Sequence, residues 1–507
     1  MEFTMGYMLQ RSAIKFADRT AVVSGNVRLT YGELNRRVNR VARVLLESGI
    51  KKGDKIASLL FNSPQVIEIY FAAARIGAIN VPINYRLVGT EIEYILHQSD
   101  SVTLIFDSEL APIIAKIPPS DLRLISVGTE NSIEGAAPYE ELLAGVSDDE
   151  VTVDVAEKDL RFIMYTSGTT GQPKGAMFTH ANNLWAALSL IINKRYAFGE
   201  SVLFVNPLYH MNSYINVIAC MFMGHKMVVM RKFDASEFIR LMQQEEVSMC
   251  SVVPTICQAL LALPPQQGFD LPKWRYCTCT GAPWPLESKK AFMERFPNVI
   301  MADAYGATEV FSGTLIQGPE ILAKPYSVGR AYLDTQIRIV DEGGKVLPAR
   351  EIGQIALFGP HVTLGYYKNP EATQESLVNG WFFPGDLGYF DEDDYLYVVD
   401  RKKDMIISGG ENIYSMEVEN VLRRHECVTE VAVVGVPNAH WGEIVKAYVV
   451  PRPGTMPTFE DLVEFCGKYL ASYKKPREIE FVADLPRNSM GKIMKRDLRR
   501  SLAGGVQ

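Results

Sequence analysis

Residues 165–175 read YTSGTTGQPKG, a stretch built almost wholly of hydroxyl side chains, glycines and one lysine. The hydrophobic residues 162–164 precede it, and a helix-like segment is expected to follow it. Glycines let backbone N–H groups turn toward an anion, the hydroxyls add donors, and Lys174 adds a positive charge. The stretch is therefore interpreted as a phosphate-binding loop, with a flexible surface loop as the alternative.

The spacing within this loop differs from that of a P-loop. A P-loop has four residues between its glycines, followed by Gly-Lys-Ser/Thr. Here only two residues separate Gly168 from Gly171, and Lys174 precedes Gly175. The loop is therefore expected to belong to a different nucleotide-binding fold.

The composition is that of an ordinary globular protein. The 507 residues are enough for about three average domains, and 47% of them are hydrophobic while 22% are charged. The 52 basic and 59 acidic residues give a net charge of −7. This balance argues against a nucleic-acid surface but allows local basic pockets for phosphates.

The cysteines and the N-terminus bear on the cellular compartment. The seven cysteines are odd in number and scattered, which favours a reducing compartment over a disulfide framework. Cys277 and Cys279 are interpreted as buried strand residues rather than metal ligands. The chain shows no secretory signal at its N-terminus and no apolar run long enough to span a membrane. We therefore expect a cytoplasmic protein whose contact with membranes is at most peripheral.

Strand and helix patterns alternate through the first two thirds of the chain. Strands are predicted at residues 56–61, 79–82, 102–106, 202–205, 226–230 and 249–253, and helices at 66–78 and 235–245. This alternation predicts an α/β fold with largely parallel sheets.

The pattern of predicted strands, turns and helices changes twice toward the C-terminus. After residue 328, short segments such as Gln336–Val340 and Gly353–Phe358 are separated by frequent turns, which predicts a small β-rich subdomain. The charged run at residues 400–404 is interpreted as a domain boundary. Beyond it, helices at 415–424 and 459–469 and strands at 428–436 and 443–451 predict a compact α+β domain.

Six further motifs follow one another along the chain. They are residues 207–210 (PLYH), 305–309 (YGATE), 385–388 (GDLG), 400–401 (DR), 409–413 (GGENI) and 486–493 (PRNSMGKI). Together with the glycine-rich loop, they resemble the adenylate-forming superfamily of acyl-CoA synthetases, nonribosomal peptide adenylation domains and beetle luciferases. The resemblance covers nearly the whole chain.

The resemblance implies both an architecture and an activity. Residues 1–400 would form a large N-terminal domain with two α/β sheet subdomains and a small β-rich subdomain, and residues 401–507 a small mobile α+β domain. The activity would be that of an ATP-dependent carboxylate–CoA ligase. The acid is activated as acyl-AMP with release of pyrophosphate, and the acyl group then passes to CoA. ATP and CoA are the implied co-substrates and Mg²⁺ the implied metal cofactor.

Four residues are assigned catalytic roles by resemblance: Lys492, Glu309, His210 and Thr166. Lys492 would stand between the carboxylate and the α-phosphate, two anions that repel each other. Glu309 would be the magnesium ligand, because Mg²⁺ prefers hard oxygen ligands. His210 would act as a gate near the substrate carboxylate. Taken alone, Glu309 could be a solvated charge and His210 a hydrogen-bonded core histidine.

The same resemblance assigns a larger set of residues to the binding of ATP and CoA. They are Thr166, Ser167, Gly168, Thr169, Thr170, Gly171, Lys174, Gly281, Ala282, Pro283, Asp303, Ala304, Tyr305, Gly306, Thr308, Asp386, Arg401, Lys403, Gly409, Gly410 and Lys492. Thr308 would bond the α-phosphate and Asp386 the ribose hydroxyls, while Arg401 would be a second ribose or phosphate contact. Lys403 would lie at the hinge of the C-terminal domain.

Several of these assignments have simpler alternatives. Tyr305 would stack near the adenine but could equally pack in the core. Asp386 could be a turn-capping residue, and Gly409 with Gly410 could form a simple turn rather than a passage for the thiol arm. The chain also departs from the family pattern at Pro384, where the family commonly has a threonine.

By resemblance, the acyl pocket is lined by residues 211–216, the segment around residues 281–284, and residues 310–313. This lining is apolar and aromatic with a few neutral polar groups. Because no acidic residue follows His210 in the first of these segments, an α-amino acid substrate is disfavoured. A fatty acid and an aryl acid both fit, and an inward-facing Trp284 would shorten the tunnel and favour the smaller one.

Three possibilities remain for the thiol that accepts the acyl group and for the role of the protein. The chain ends at Gln507 soon after the lysine motif, so free CoA is the expected thiol. The alternatives are an acyl-AMP ligase that loads a separate carrier protein and a non-catalytic protein that binds nucleotide or acyl groups. No nucleic-acid partner is expected, and the oligomeric state is open, with a homodimer as one candidate.

Overall fold

The computed structural model describes residues 2–118, 121–131, 133–166, 172–264, 271–282, 284–311, 313–487 and 493–503. Contacts between residues divide the chain into two compact units. The larger unit comprises Met1–Ile337 and Leu357–Phe382, and the smaller unit comprises Arg338–Ala356 and Phe383–Gln507. The predicted division into residues 1–400 and 401–507 stays a prediction.

The larger unit alternates strands and helices. Its strands before residue 337 are β1 (Thr20–Ser24), β2 (Val27–Thr30), β3 (Lys55–Leu59), β4 (Ile79–Pro82), β5 (Ser101–Asp107), β6 (Arg123–Val127), β7 (Ala137–Pro138), β8 (Leu160–Thr166), β9 (Lys174–Thr179), β10 (Ser201–Phe204), β11 (Lys226–Val229), β12 (Met249–Val252), β13 (Tyr276–Thr280), β14 (Ile300–Tyr305), β15 (Thr314–Gln317) and β16 (Arg330–Ala331). Its helices are α1 (Met5–Lys15), α2 (Tyr31–Glu47), α3 (Pro64–Ile76), α4 (Gly89–Gln98), α5 (Ala111–Ile114), α6 (Tyr139–Leu143), α7 (His180–Asn193), α8 (Met211–Met223), α9 (Ala235–Gln244), α10 (Pro254–Leu261), α11 (Leu286–Arg295), α12 (Glu320–Ala323) and α13 (Pro370–Ser376). Short 3-10 helices span Ser108–Leu110 and Thr308–Val310.

These strands form two largely parallel sheets. One has the order β7-β6-β5-β3-β4-β8-β9, in which β9 alone runs antiparallel to its neighbour. The other has the order β16-β15-β14-β13-β12-β10-β11-β1-β2, in which β1 and β10 to β14 are parallel. The α/β prediction is confirmed here, because helices connect the parallel strands and cover the sheets.

Helix α3 shows how the local sequence sets these elements. Pro64 lies in its first turn, where its missing N–H costs nothing, and Gly77 ends it with φ of 72°. The helix connects β3 to the parallel strand β4. Its apolar side chains are almost all buried in the main core, where each large one contributes about 1.5–3 kcal/mol.

Helices α7 and α8 pack against each other in the same core. A capping box of Thr179 and Asn182 begins α7, so the helix starts directly after β9. Helix α8 begins after His210 and ends at Gly224, whose φ is 66°. The start of α8 matters because the predicted site residue His210 directly precedes it.

The remaining strands of the larger unit are short, and two strands cross the border between the units. The crossing strands are β17 (Gln336–Val340) and β18 (Gly353–Phe358), at the predicted positions, and the short strands are β19 (Leu377–Val378) and β20 (Trp381–Phe382). Within the larger unit, the end of β18 pairs antiparallel with β20, and β20 with β19.

The smaller unit is an α+β structure. Its elements are β21 (Asp386–Phe390), β22 (Leu396–Arg401), β23 (Ile406–Ser408), β24 (Glu411–Ile413), α14 (Ser415–Leu422), β25 (Val428–Asn438), β26 (Gly442–Pro451), α15 (Phe459–Gly467), a 3-10 helix Ser472–Lys474, β27 (Glu478–Phe481) and α16 (Lys495–Ala503). Strands β25 and β26 form a long antiparallel hairpin, and β27 runs parallel to β26. Val418 and Leu422 of α14 pack with Leu462 and Cys466 of α15 in the core beneath this hairpin.

The environments of the cysteines and the compositions of the helices bear on the metal and membrane predictions. All seven cysteines are free thiols, and Cys277 and Cys279 are fully buried in β13, as predicted for strand residues. Within the described ranges, no group of three or more His, Cys, Asp and Glu side chains is arranged to hold a metal ion. No helix in those ranges has both the length and the apolar composition needed to cross a membrane.

Candidate active site

Several predicted site segments meet at one edge of the larger parallel sheet. Strands β10, β12, β13 and β14 are successive neighbours and run in the same direction. His210 lies six residues past the end of β10, Gly281 and Ala282 follow β13, and residues 306–309 follow β14. Because the carboxyl ends of parallel strands share an edge, these segments lie along one rim of the sheet. That rim is where ligands bind in open α/β sheets.

The connection from β14 to β15 holds Glu309. The two strands are antiparallel, with Tyr305 opposite Thr314, and the N–H of Gly313 donates to the carbonyl of Tyr305 at 2.8 Å. Glu309 lies in the 3-10 helix of this connection and is only 8% exposed. Phe311 follows with φ of 54°, a conformation that is costly for a side chain of this kind. The turn therefore carries its carboxylate inward rather than into solvent.

Residues 363–367 hold Glu309 from the other side. The N–H of Thr363 donates to the backbone carbonyl of Glu309 at 2.8 Å, and the hydroxyl of Tyr366 donates to Oε1 of Glu309, also at 2.8 Å. The same segment pairs with β9, where Tyr366 lies opposite Ala176. Tyr366 was missed by the sequence analysis, since no motif or periodicity marks it and its partner lies 57 residues away.

The described ends of the glycine-rich loop belong to two paired antiparallel strands. Strand β8 ends at Thr166 and β9 begins at Lys174, and these two residues face each other in the antiparallel ladder. The Nζ of Lys174 lies 5.3 Å from the centre of the Tyr366 ring, which places the loop base beside the Glu309 contact. A helix follows the loop, as expected, but the unpredicted strand β9 comes between the loop and α7.

Gly175 has a packing reason to lack a side chain. A Cβ at this position would lie 2.6 Å from the side chain of Ile163 and 3.1 Å from the ring of Tyr165 on the neighbouring strand. The hydroxyl of Thr166 donates weakly, at 3.4 Å, to the carbonyl of Lys174. Ser167, Gly168, Thr169, Thr170 and Gly171 lie outside the described residues, so their predicted phosphate contacts remain predictions.

The neighbouring strands β13 and β14 carry residues that were predicted to contact the nucleotide, and some of these residues already have partners within the protein. Gly281 adopts φ of 94°, which favours glycine, and Ala304 accepts a hydrogen bond from the Thr280 hydroxyl at 2.8 Å. Asp303 is buried and forms an ion pair with Lys289 of α11. Its carboxylate is thus committed to the protein interior, and its role toward a nucleotide stays a prediction. Pro283 lies outside the described residues.

His210 precedes the first turn of α8 and contacts the Tyr209 ring, with 4.3 Å between ring centres. Tyr209 in turn packs edge-on against Tyr85 at 5.2 Å. Desolvation in this aromatic surrounding, and then the positive charge of Arg86, lower the pKa of His210 from 6.5 to about 4. The imidazole is therefore neutral at physiological pH, and it can accept or donate one hydrogen bond without adding charge.

The predicted acyl-pocket segments occupy different environments. Asn212 of α8 donates to the Ser251 hydroxyl of β12 at 2.6 Å, and the Ser213 hydroxyl donates to the Asn206 carbonyl at 3.3 Å. Trp284 is buried and packs edge-on against Phe292 of α11, with 5.6 Å between ring centres. The predicted effect of Trp284 on the length of the acyl tunnel stays a prediction.

Asp386 and Arg401 come together in the smaller unit. They are opposite residues of the antiparallel pair β21 and β22, and the Nε of Arg401 lies 2.8 Å from Oδ1 of Asp386. Gly385 precedes Asp386 with φ of 80°, and its carbonyl accepts from the N–H of Lys402 at 2.9 Å. The arrangement sets a buried carboxylate beside a guanidinium, and the roles of both groups toward a nucleotide stay predictions.

Lys403, which was predicted at the hinge, and the glycines Gly409 and Gly410 lie in the next turns of the smaller unit. Lys403 is exposed in the turn after β22. Gly409 and Gly410 both have positive φ, of 61° and 87°, and join β23 to β24 as a two-residue hairpin turn. A Cβ at Gly409 would lie 2.8 Å from the ring of Trp441. The turn alternative accounts for both glycines, and their role in thiol passage stays a prediction.

Asp400 was quoted as part of a motif but given no role. Its Oδ2 accepts hydrogen bonds from the hydroxyl of Ser415 at 2.8 Å and from the N–H of Met416 at 3.4 Å, so it caps the start of α14. Burial raises the pKa of Asp400, while Lys495 opposes this shift. The ammonium of Lys495 also lies 2.6 Å from a carboxylate oxygen of Glu419. This network joins the end of β22 to α14 and α16 within the smaller unit.

Of the predicted catalytic residues, Glu309 lies within the described part of the chain and Lys492 does not. Lys492 lies outside the described residues, and its role stays a prediction. Glu309 has the properties that a magnesium ligand needs: it is a carboxylate, it lies at the carboxyl edge of the sheet, and a tyrosine hydroxyl fixes its orientation. Mg²⁺ is commonly held by one or two carboxylates together with substrate phosphates, so a larger protein cluster is not required.

Comparison with known proteins places this arrangement in a family. Residues 9–367 match the AMP-binding enzyme family, and residues 417–492 match the AMP-binding enzyme C-terminal domain. A feruloyl-CoA synthase of an Amycolatopsis species is 37% identical over 95% of both chains. A long-chain-fatty-acid–CoA ligase of Mycobacterium tuberculosis is 36% identical over 99% of both chains.

A solved structure agrees with the fold. The o-succinylbenzoate–CoA synthetase of Bacillus subtilis, in complex with its acyl-adenylate intermediate, superimposes with a TM-score of 0.87. It is 29% identical, and the match covers 99% of this chain and 98% of that one. The chain therefore belongs to the AMP-binding enzyme family, within the adenylate-forming superfamily of acyl-CoA synthetases.

Proposed function

We propose that this protein is an AMP-forming carboxylate–CoA ligase that acts on a fatty or aryl carboxylic acid. The observation that carries the proposal is the cluster of Glu309, Tyr366 and Lys174 at the carboxyl edge of the larger sheet. A buried carboxylate beside a lysine at the end of the glycine-rich loop suits a nucleotide triphosphate with its metal ion.

The first half-reaction joins the acid to AMP. A carboxylate oxygen of the acid bonds to the α-phosphorus of ATP, and the bond from that phosphorus to the pyrophosphate oxygen breaks. Glu309 would hold Mg²⁺, which supplies charge neutralisation on the phosphate oxygens when bound. Lys174 would contact phosphate oxygens from the base of the hairpin. Lys492 would offset the charge that develops between the two anions.

The second half-reaction transfers the acyl group to a thiol. The sulfur of CoA bonds to the acyl carbon, the bond from that carbon to the AMP oxygen breaks, and the thiol proton passes to solvent. His210 is neutral and would orient the acid carboxylate without repelling a cation nearby. CoA is the favoured acceptor, since the relatives compared above are a CoA synthase, a CoA ligase and a CoA synthetase.

The acid class follows from the same relatives. One relative is named for feruloyl-CoA, an aryl product, and another for long-chain fatty acids. A fatty or aryl acid is thus the first class to assay. A cytoplasmic location and a homodimer are further parts of the proposal, to be tested by fractionation and by the mass of the protein in solution.

The test separates the two half-reactions in a Lys492→Ala variant. Acid-dependent exchange of pyrophosphate into ATP should fall by roughly a hundredfold or more, whereas ATP binding measured by calorimetry should change little. Lys468→Ala is the matched control, because Lys468 is an exposed lysine of the same unit. Unchanged exchange in Lys492→Ala would contradict the assigned catalytic role.

A further inference from the structure

Asn62 is a buried amide that joins the two parallel sheets of the larger unit. It lies in the connection from β3 to α3 and is only 3% exposed. Its side-chain Nδ2 donates to the carbonyl of Asn206 at 3.0 Å and to the carbonyl of Met230 at 3.1 Å. Asn206 follows β10 and Met230 follows β11, and both strands belong to the sheet that does not contain β3. Asn62 therefore uses both of its amide donors on backbone beyond the carboxyl ends of these strands.

The backbone N–H and carbonyl of Leu208 are held by two side chains. The N–H donates to Oδ1 of Asn62 at 2.7 Å, and the carbonyl accepts from the hydroxyl of Tyr70 at 2.9 Å. Tyr70 lies on α3, the helix that follows Asn62, and is only 1% exposed. Most hydrogen bonds of backbone groups are made with other backbone groups, so two side-chain partners for one residue are a specific restraint. We call these two contacts the Leu208 clamp.

The Leu208 clamp acts on the turn that ends at His210. The N–H of His210 donates to the carbonyl of Pro207 at 3.1 Å, which closes a β-turn with Leu208 as its second residue. Helix α8 begins directly afterwards, and the N–H of Tyr214 donates to the His210 carbonyl at 3.0 Å. Only Tyr209 separates Leu208 from His210 along the chain. The backbone position of His210 is therefore set by the clamp on one side and by α8 on the other.

A tie between the two sheets accounts for only part of this arrangement. The bonds from Asn62 to Asn206 and Met230 already connect the sheets at the ends of β10 and β11. The bonds to Leu208 add a restraint on the turn itself, and the one from Tyr70 comes from a helix rather than from the sheet edge. A displacement of about 1 Å in a group that orients a substrate can cost roughly a hundredfold in rate, so this restraint matters for function.

We infer that Asn62 and Tyr70 are positioning residues that hold His210 in place to orient the acid carboxylate. Neither side chain needs to touch the acid, because both act through the backbone of Leu208. The inference rests on the proposed ligase function and deepens it. It assigns a role in that site to two residues that lie outside every motif found in the sequence.

The first test removes the hydroxyl of Tyr70 and leaves its ring in place. Pyrophosphate exchange into ATP is measured with ferulate and with palmitate as the acids. Tyr70→Phe should lower kcat/KM for the acid roughly fivefold, because the Leu208 carbonyl loses its partner, whereas ATP binding measured by calorimetry should stay within about twofold.

Tyr31→Phe is the matched control for Tyr70→Phe. The hydroxyl of Tyr31 is equally buried, and it donates to the carbonyls of Cys220 at 3.0 Å and His225 at 2.7 Å, near the far end of α8. Its loss should cost similar stability but leave kcat/KM for the acid within about twofold of the wild type. Equal values of kcat/KM for the acid in the two variants would overturn the assignment.

A double-mutant cycle separates an effect through His210 from a general effect on the fold. His210→Asn should itself lower kcat/KM for the acid. Adding Tyr70→Phe to His210→Asn should then lower it by less than about twofold further, because the residue that the clamp positions is already lost. A further loss as large as the one that Tyr70→Phe causes alone would contradict the positioning of His210.

Asn62→Ser removes the other half of the clamp. Serine is too short to keep the three bonds of the amide, so kcat/KM for the acid should fall by roughly tenfold or more. Asn39→Ser is the control, because Asn39 is a buried asparagine of α2 whose amide donates to the Asp148 carbonyl at 2.9 Å. It should lower the melting temperature and leave kcat/KM for the acid unchanged. An Asn62→Ser variant that behaves in the same way would contradict the role of Asn62, and Tyr70→Phe decides the question if Asn62→Ser does not fold.

A readout without turnover lets the two proposals fail separately. In protein that carries isotope-labelled histidine, the ring signal of His210 is the one that His210→Asn lacks. That signal should shift in Tyr70→Phe but not in Tyr31→Phe. Such a shift in a protein that turns over no acid would sustain the clamp and contradict the ligase function. Acid-dependent AMP release together with an unmoved His210 signal in Tyr70→Phe would sustain the ligase and overturn the clamp.

Discussion

Two buried ionisable side chains in the larger unit differ in how the protein treats their charge. Glu309 is 8% exposed, and a hydroxyl and a backbone N–H from residues 363–367 fix its side chain and its peptide. Lys194 is 3% exposed and is surrounded by thiols. The first charge is held in place before any substrate arrives. The second costs folding energy, because burial removes the water that would solvate the ammonium.

A third buried ion shows what a structural charge looks like. Arg161 of β8 is almost fully buried, yet it donates to Asn183 and to the Tyr70 carbonyl, both at 3.3 Å. Its guanidinium also lies over the Tyr214 ring, 5.1 Å from the centre. Because these groups use its donors within the core, Arg161 is best understood as part of the packing. Lys194 has no comparable set within the described residues.

The largest expected effect follows from Glu309→Gln. The amide keeps the hydrogen bond from Tyr366 but loses the negative charge that the metal requires. Adenylation, measured as acid-dependent pyrophosphate release, should fall roughly a hundredfold to a thousandfold. Glu320→Gln, on the exposed surface of α12, should change it by less than about twofold. Full activity in Glu309→Gln would contradict the proposed role of the Glu309 charge in holding the metal.

Asp386→Asn should act on nucleotide affinity rather than on chemistry. The change leaves Arg401 beside a neutral amide and weakens the contact expected with the ribose. KM for ATP should rise about tenfold, with kcat reduced much less. Asp394→Asn is a suitable control, since Asp394 has φ of 61° and asparagine tolerates that conformation. A fall in kcat alone would argue against a binding role for Asp386.

Tyr366→Phe tests whether the position of Glu309 matters as well as its charge. Removing one hydrogen bond to a carboxylate costs about 1.5–3 kcal/mol. If this loss is felt in the transition state, kcat should fall about tenfold while the melting temperature changes little. Tyr367→Phe, which removes an exposed contact with Asp100, serves as the control. Equal activities of the two variants would show that Tyr366 serves only packing.

Lys194→Met should stabilise the protein at neutral pH. The pKa of Lys194 falls from 10.5 in the unfolded chain to about 8 in the folded protein, which corresponds to roughly 3 kcal/mol of lost stability at neutral pH. Between pH 8 and 10.5 the unfolded chain holds more protons, so wild-type stability should rise relative to that of the variant. Urea unfolding at pH 7 and at pH 10 measures both effects. A destabilised Lys194→Met at pH 7 would mean that the lysine already has a structural partner.

The smallest expected effect concerns His210. Its folded pKa of about 4 lies below the unfolded value of 6.5, so the unfolded state binds the proton first as the pH falls. This residue should therefore reduce stability as the pH drops from about 6.5 to 4, and leave activity unchanged above pH 6. His210→Asn should flatten the stability profile in that window. A step in wild-type activity near pH 6.5 that the variant lacks would contradict a neutral His210.

The sequence analysis located the parts of the site that local motifs mark. The order of the motifs led to Glu309 and to Asp386 with Arg401, and the structure brings the latter two into an ion pair. Strands Gln336–Val340 and Gly353–Phe358 were predicted at their observed bounds because turn residues flank them.

The sequence analysis missed contacts between residues that are distant in the chain. Tyr366 reaches Glu309 across 57 residues, and no pattern near either residue signals the other. Strand β9, which follows the glycine-rich loop, was missed because it depends on its pairing with β8 and not on a local sequence pattern. Lys194 was missed because burial of a lysine is decided by packing and not by its neighbours in sequence.

The most direct measurement is the detection of AMP and acyl-CoA by chromatography and mass spectrometry. The reaction contains MgATP, CoA and a panel of fatty and aryl carboxylic acids. The account predicts that one or more acids yield AMP and the matching acyl-CoA in equal amounts, and that Glu309→Gln abolishes both products. AMP or acyl-AMP without a CoA thioester would point to a carrier-loading ligase, and no acid-dependent nucleotide turnover would contradict the proposed function.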